Sequence, residues 1–145
     1  MVPELDRNGL LPPGIHDCDW PEFRRRFGGN PVRERLLRGL EQALKALKSA
    51  GCGKAYIDGS FVTSKSEPND YDGCWDKTNV DITKLDPVLL LFDNGRIAQK
   101  MKYFGELFPA SLIEGGSNRL FLDFFQQNRD GSSKGIVCID LRNLQ

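Results

Sequence analysis

Residues 57–76 read I-D-G-S-F-V-T-S-K-S-E-P-N-D-Y-D-G-C-W-D, and the fold that we expect is built around them. A strand is predicted over residues 54–58, and a second strand opens at Asp70 and ends near residue 75 or 76. Between them, residues 61–67 form either the first turns of a helix or an ordered loop, which Pro68 stops. The expected unit is therefore strand, turn, strand.

Asp70 and Asp72 lie two residues apart on the second predicted strand. Side chains at this spacing point to the same face, roughly 6.5 Å apart along the strand. Such a pair can bind one hard cation or bridge two cations about 3.5–4 Å apart, and Mg²⁺ prefers oxygen ligands of this kind. The alternative is that residues 68–72 form an ordinary turn, because Asn and Asp favour turns.

Gly59 and Ser60 come directly after the first strand. A glycine lets the backbone approach a phosphate closely, and the N–H groups that follow it favour an anion. The serine hydroxyl adds a further donor. A phosphate cradle beside paired carboxylates is the minimum equipment for phosphoryl or nucleotidyl transfer, and the sequence favours that chemistry.

Helical patterns precede this stretch. Residues 20–27 form a short predicted helix, which Gly28-Gly29 ends. In the next helix Asn30 is the predicted cap, Pro31 suits the first position, and Gly51 ends the helix. Its apolar residues recur at steps of three and four and form one stripe: Val32, Leu36, Leu37, Leu40, Leu44 and Leu47. Arg33, Arg35 and Arg38 lie mostly off this stripe, which indicates a solvated helix face rather than a phosphate-binding patch.

The remaining segments predict a mixture of helices and strands. Residues 85–103 are helical in pieces, with a start at residues 86–87 and a break at residues 93–95. Residues 119–126 and 135–141 are predicted strands. Residues 1–19 are expected to be largely irregular, and residues 1–29 form an N-terminal arm packed on a single domain of residues 1–145. The fold class is α/β or α+β, a small mixed sheet flanked by helices.

Composition excludes several classes of protein. The chain has 145 residues, 20 Lys and Arg, 20 Asp and Glu, and four Cys. Zero formal net charge argues against nucleic acid as the main partner. No apolar run reaches the length of a membrane span, and the N-terminus lacks the pattern of a signal peptide. The cysteines form no C-x-x-C pair, so we expect reduced thiols and no zinc site. These features predict a cytoplasmic protein without a membrane partner.

The spacing of Gly59-Ser60, nine residues and Asp70-Tyr71-Asp72 resembles the signature of the DNA polymerase β-like nucleotidyltransferase superfamily. That signature is a hydrophobic residue, Gly, Gly or Ser, a loop and Asp-x-Asp. The whole chain also resembles a bacterial family of small, poorly characterised proteins of the minimal-nucleotidyltransferase kind. The phrases LPPGIH, DGSFVTSK, PNDYDGCWD and KGIVCIDL carry this second resemblance.

The resemblance implies magnesium-dependent transfer of a nucleoside monophosphate from an NTP to a hydroxyl acceptor. The first candidate for the transferred group is AMP, with ATP as its donor. In such an enzyme Gly59 and Ser60 would hold the triphosphate, and Asp70 and Asp72 would bind Mg²⁺. In active small relatives an Arg and small residues follow the Gly-Ser. This chain has residues 61–65 there, of which Ser64 and Lys65 are the candidate replacements for the phosphate contacts.

The superfamily has a third carboxylate on a neighbouring strand between hydrophobic residues. Asp123, between Leu122 and Phe124, fits that pattern best, and it would complete the metal site and help to activate the attacking hydroxyl. Asp140 is the second candidate and Asp81 the third. The alternative for Asp123 is an ordinary polar residue on a half-exposed strand.

Two other functions stay open at this point. Minimal nucleotidyltransferases resemble the antitoxin halves of toxin–antitoxin pairs, so a small helical toxin could be the partner and the acceptor. The other alternative is a catalytically degenerate nucleotide-binding domain. The chain shows no separate helical domain that would hold the base or the acceptor.

Overall fold

Capping groups in the sequence define where the long helix begins. The computed structural model describes residues 1–145, and in it the Asn30 side chain accepts a hydrogen bond from the Arg33 N–H at 2.8 Å. Pro31 occupies the first turn, so this helix starts as predicted. The helices are α1 (Trp20–Phe27), α2 (Pro31–Ser49), α3 (Asp93–Tyr103) and α4 (Phe121–Phe124), and short 3₁₀ turns lie at Ser60–Val62, Ile82–Lys84 and Pro87–Leu90.

Five strands form one mixed sheet in the order β1-β7-β2-β3-β4. The strands are β1 (Gly14–Cys18), β2 (Lys54–Asp58), β3 (Asp72–Trp75), β4 (Glu106–Pro109), β5 (Ile113–Glu114), β6 (Arg119–Leu120) and β7 (Gly135–Asp140). β2 is antiparallel to β3 and β7, whereas β1–β7 and β3–β4 are parallel pairs. β5 and β6 form a separate two-stranded sheet. The predicted combination of a small mixed sheet with helices is confirmed as an α+β fold.

The two faces of the main sheet have different neighbours. One face turns Ile57, Leu107 and Val137 into a large core that also contains the leucine stripe of α2. The other face carries a small cluster in which Cys74 and Ile136 contact Phe125, with partly buried aromatic residues around them. Because side chains alternate along a strand, the residues beside those core positions point to the second, more open face.

Three segments differ from the sequence-based predictions. Residues 14–18, expected to be irregular, form β1 because their backbone pairs with β7 along the whole strand. β4 was not predicted; it forms by parallel pairing with β3 and ends in a proline, which weakens the local signal for a strand. The prediction of a strand over residues 119–126 is wrong. Only Arg119–Leu120 is a strand, and the chain then turns into α4, where the Phe121 ring stacks on Phe108 at 4.1 Å.

The predicted break in residues 93–95 is confirmed. Asn94, Gly95 and Arg96 have φ angles of 50°, 65° and 61°, so α3 begins with a left-handed turn. The prediction for Arg33, in contrast, is wrong, because this residue is only 6% exposed and does not belong to a solvated helix face.

All four cysteines are buried and unpaired. No helix combines the length and the apolar character that crossing a bilayer requires.

Candidate functional site

Three carboxylates from three neighbouring strands form a row across the sheet. Asp58 at the end of β2 is the direct cross-strand partner of Asp72 at the start of β3, and Asp72 is the partner of Glu106 at the start of β4. Directly paired residues share a face, and adjacent strands lie about 4.8 Å apart. We call Asp58, Asp72 and Glu106 the carboxylate row. It lies on the face opposite the leucine-rich core.

The outer members of the carboxylate row have cationic partners. Lys134 Nζ lies 3.0 Å from Asp58 Oδ2. Arg96 Nε lies 2.8 Å from Glu106 Oε2, and the Lys100 ammonium lies 3.6 Å from the same oxygen. Burial raises the pKa of Asp58, and the Lys134 ammonium opposes that shift. The row is therefore neutralised at its two ends.

Asp72, in the middle of the row, is in no ion pair. Burial is the largest cause that raises its pKa to about 8, and the charges of Asp70, Glu106 and Asp58 act in the same direction. A hydrogen bond with Glu106 also favours the protonated form. The protonated form of Asp72 is therefore favoured at pH 7, and its hydroxyl donates a hydrogen bond to a Glu106 carboxylate oxygen.

Asp70 lies beside the row but not on the strand. β3 begins at Asp72, so the predicted start of this strand at Asp70 is two residues early. Asp70 is half-buried, and burial followed by the Glu106 charge raises its pKa. Between the two aspartates, Tyr71 points into the core, where its hydroxyl donates to Tyr103 O at 2.8 Å. This anchor holds Asp70 and Asp72 on the open side.

Gly59 brings the backbone against Asp72. Its φ is +84° and its ψ is −171°, a combination that residues other than glycine avoid. A Cβ added at Gly59 would lie 2.7 Å from Asp72 Oδ2. Ser60 then starts the 3₁₀ turn, so the predicted Gly-Ser pair and Asp72 meet at one end of the sheet.

We expect Gly59→Ala to lower the free energy of unfolding by about 1–3 kcal/mol, because the new side chain combines an unfavourable φ with contact against a buried carboxyl. Urea denaturation measures this loss. Gly53→Ala is the matched control, since a Cβ at Gly53 meets nothing within 4 Å. Equal stability of the two variants would contradict the expectation.

A cavity of about 610 Å³ opens over this end of the sheet. Its walls include the predicted residues Gly59, Ser60 and Asp72, together with Asp58. Three cationic side chains also line it, Arg119, Arg129 and Lys134. The cavity therefore places carboxylates and cations around a volume typical of small-molecule sites.

The structure does not bring Asp123 into this group. It is exposed on α4 and lines a neighbouring cavity with Asn118 and Gln126. The strand that would have carried it next to Asp72 is absent, because α4 packs its aromatic side chains on the sheet instead. Asp123 is therefore not the third carboxylate of the cluster, and Glu106 holds that position.

The other candidates also lie elsewhere. Asp140 is at the Lys54 end of β2, roughly 13 Å along the strand from Asp58, and forms an ion pair with Arg142. Asp81 caps a 3₁₀ turn beside the end of α2. Ser64 and Lys65 line a separate cavity, and the Lys65 charge only partly opposes the rise that burial and Glu106 cause in the pKa of Asp70.

Sequence reasoning missed Glu106 and Asp58. Glu106 lies between Gly105 and Leu107, which is a weak version of a carboxylate flanked by hydrophobic residues. Asp58 occupies the position directly before Gly59, where the signature has a hydrophobic residue. A carboxylate at this position of the Gly-Ser motif, where a hydrophobic residue is usual, was the one sequence feature that could have identified Asp58 as a site residue.

The donor chemistry of this cluster fits a hard divalent cation. Asp58, Asp70, Asp72 and Glu106 offer only carboxylate oxygens, which Mg²⁺ prefers. Burial is the largest cause of the raised pKa of Asp72, but the charges of Asp70, Glu106 and Asp58 contribute to it, and a cation among these carboxylates would be attracted to all of them. In the geometry shown, no group of three or more His, Cys, Asp or Glu side chains forms a ready metal site. The side chains would have to converge on the ion.

Comparison with known proteins gives one match. No curated protein and no solved structure is significantly similar to the chain. The model of a "Family of unknown function (DUF6932)" matches residues 3–140, a range that contains every strand of the main sheet and the whole carboxylate row. The chain therefore belongs to the DUF6932 family.

Proposed function

We propose that this protein is a magnesium-dependent nucleotidyltransferase with a fold of the DNA polymerase β-like type. It would move a nucleoside monophosphate, AMP in first place, from an NTP to a hydroxyl acceptor. The observation that carries the proposal is the convergence of Gly59-Ser60, Asp72 and Glu106 at one sheet end, beside a cavity lined by cations. A triphosphate and its divalent cation need both kinds of group.

The assigned roles follow from position. Asp70, Asp72 and Glu106 would hold Mg²⁺, and Glu106 replaces Asp123 as the third carboxylate. When bound, Mg²⁺ would stabilise the negative charge of the transferring phosphate and of the departing pyrophosphate. Asp72 must lose its proton to act as a ligand, and its carboxylate or that of Glu106 would accept the proton of the acceptor hydroxyl.

The cavity walls supply the phosphate contacts. Gly59 and Ser60 line the cavity and could supply a backbone N–H and a hydroxyl donor, and Arg119, Arg129 and Lys134 contribute positive charge. Lys134 forms an ion pair with Asp58, and both residues line the cavity. These residues take the role that the sequence analysis gave to Ser64 and Lys65, whose side chains line a different cavity.

Calorimetric titration of ATP in the presence of Mg²⁺ tests this proposal. We expect saturable binding by the wild-type protein and a loss of at least about 100-fold in affinity in Asp70→Asn and in Glu106→Gln, since each removes a charged ligand. Asp123→Asn is the matched control and should change the affinity less than twofold.

Two outcomes would contradict the proposal. One is a folded wild-type protein that does not bind ATP with Mg²⁺. The other is binding that survives in both Asp70→Asn and Glu106→Gln. Release of pyrophosphate from ATP during incubation with candidate hydroxyl acceptors, proteins included, then separates an active enzyme from a nucleotide-binding domain.

A further inference from the structure

We infer that the exposed ring of Phe124 is the platform on which the nucleobase stacks, so that this cavity selects a nucleotide rather than any metal-bound polyphosphate. This inference rests on the proposed function and adds a base subsite to it. Phe124 and Phe125 are the only hydrophobic residues that line the cavity of Asp58, Ser60 and Asp72.

The two rings have different surroundings. Phe125 is 6% exposed and belongs to the cluster with Cys74 and Ile136, so it supports the cavity from inside. Phe124 is 37% exposed although it lies among apolar neighbours. One aromatic ring is therefore open in a cavity whose other walls are almost entirely polar.

Neighbouring rings hold Phe124 in place. Phe121 meets it edge-on, with 6.4 Å between ring centroids and an interplanar angle of 88°, and Phe125 lies at 5.4 Å and 60°. Phe121 is itself stacked on Phe108 of β4. A ring fixed by its neighbours loses little conformational freedom when a ligand stacks on it, which favours binding.

The cavity also offers a group that can contact the edge of a base. Gln127 lines the same cavity and comes three residues after Phe124 in the chain. The neighbouring Gln126 amide donates to Leu122 O, and the Asn128 amide donates to Ser132 Oγ. The side-chain carboxamide of Gln127 makes no such hydrogen bond within the chain, and only its backbone N–H is bonded, to Phe124 O. A carboxamide can donate to and accept from a base edge.

The other aromatic residues near the motif cannot serve as the platform. Tyr71 lies between Asp70 and Asp72, and Trp75 comes three residues after Asp72, but they are 0% and 1% exposed and belong to the large core. Base stacking needs an accessible π face, which only an exposed ring provides. Phe124 meets this requirement inside the cavity that also contains the phosphate-binding groups.

The test compares ATP with inorganic tripolyphosphate, each titrated calorimetrically with Mg²⁺ present. We expect Phe124→Ala to weaken ATP binding about 10-fold or more and to leave tripolyphosphate binding within twofold of the wild type, because only ATP carries a base. Phe124→Tyr keeps an aromatic face and should retain ATP affinity. Leu112→Ala removes an exposed apolar side chain that does not line the cavity, and it should change the affinity for neither ATP nor tripolyphosphate.

The outcomes separate this inference from the proposed function. If the wild type binds neither ligand, the proposed function fails. If it binds ATP and tripolyphosphate with equal affinity, or if Phe124→Ala binds ATP as the wild type does, the phosphate site stands and the base platform is overturned. Equal weakening of both ligands in Phe124→Ala would also overturn it, since that pattern reports a distorted cavity.

Discussion

Asp72→Asn is expected to stabilise the folded protein at pH 8 by about 2–4 kcal/mol when no divalent cation is present. In the wild type, burial and the neighbouring carboxylates raise the pKa of Asp72 from 3.8 to about 8. Ionising this group inside the fold is therefore unfavourable. Asparagine cannot ionise, and it can still donate a hydrogen bond to Glu106.

The sign of the pH dependence follows from proton binding. Between about pH 4 and pH 8 the folded wild type holds a proton at Asp72 that the unfolded chain has already released. Its stability therefore falls as pH rises through this window, by at most about 1.4 kcal/mol per pH unit from this group. In Asp72→Asn that contribution disappears, and the difference between the two proteins grows towards pH 8.

Urea denaturation at several pH values between 5 and 8 measures this difference, with EDTA present to remove divalent cations. Asp123→Asn is the control, because it removes an exposed carboxylate outside the carboxylate row. It should keep the wild-type pH dependence. Parallel profiles for wild type and Asp72→Asn would show that Asp72 is ionised at ordinary pH, contrary to the structure.

Arg33→Met is expected to lower the free energy of unfolding by about 3 kcal/mol or more. The buried Arg33 guanidinium donates only to backbone carbonyls, those of Phe27, Phe61, Thr63 and Lys65, at 2.6–3.2 Å. Its charged group also lies 5.0 Å from the centre of the Phe61 ring. Methionine fills similar space but leaves these acceptors without a donor, and an unpaired buried acceptor costs about 1–3 kcal/mol.

The control for this variant is Arg38→Met, on the exposed side of the same helix, which should change stability by less than about 0.5 kcal/mol. Arg33→Lys keeps the charge but cannot reach four carbonyls at once, so it should recover only part of the loss. Urea denaturation at pH 7 measures all three. A loss below about 1 kcal/mol in Arg33→Met would mean that water replaces the guanidinium at these carbonyls.

Arg33 also connects the fold to the candidate site. The carbonyls that it binds at Phe61, Thr63 and Lys65 belong to the loop directly after Gly59-Ser60. The loop is held from α2, and the Asn30 amide adds a bond to Ser66 O. The spacing of Arg33, Arg35 and Arg38 predicted a solvated helix face. One of the three, Arg33, instead holds the loop that follows Ser60 in position.

Sequence patterns correctly predicted those elements that depend on interactions between residues close together in the chain. Asn30 and Pro31 defined the start of α2, and residues 93–95 marked the break in α3, because capping and left-handed turns depend on neighbouring residues alone. The strand pair around Gly59-Ser60 was predicted for the same reason, except that β3 starts at Asp72 rather than Asp70.

Aromatic content misled the prediction for residues 119–126. Phe121, Leu122 and Phe125 have the composition of a strand, but their side chains pack on the open face of the sheet from a short helix. A high content of aromatic and aliphatic residues indicates that a segment is buried, but it does not distinguish a strand from a short helix, because both can bury such side chains. Asp123 was assigned to the site because of this error.

Local sequence features were sufficient to predict α1, α2, the broken α3, the central strands β2, β3 and β7, and the meeting of Gly59-Ser60 with Asp72, because propensity, capping and a short connection specify them. Only the tertiary structure decided the remaining members of the site. Strand pairing places Glu106 beside Asp72 and Asp58 on its other side, and burial sets the pKa of Asp72. Register between strands distant in sequence depends on how the whole sheet packs, so no local pattern contains it.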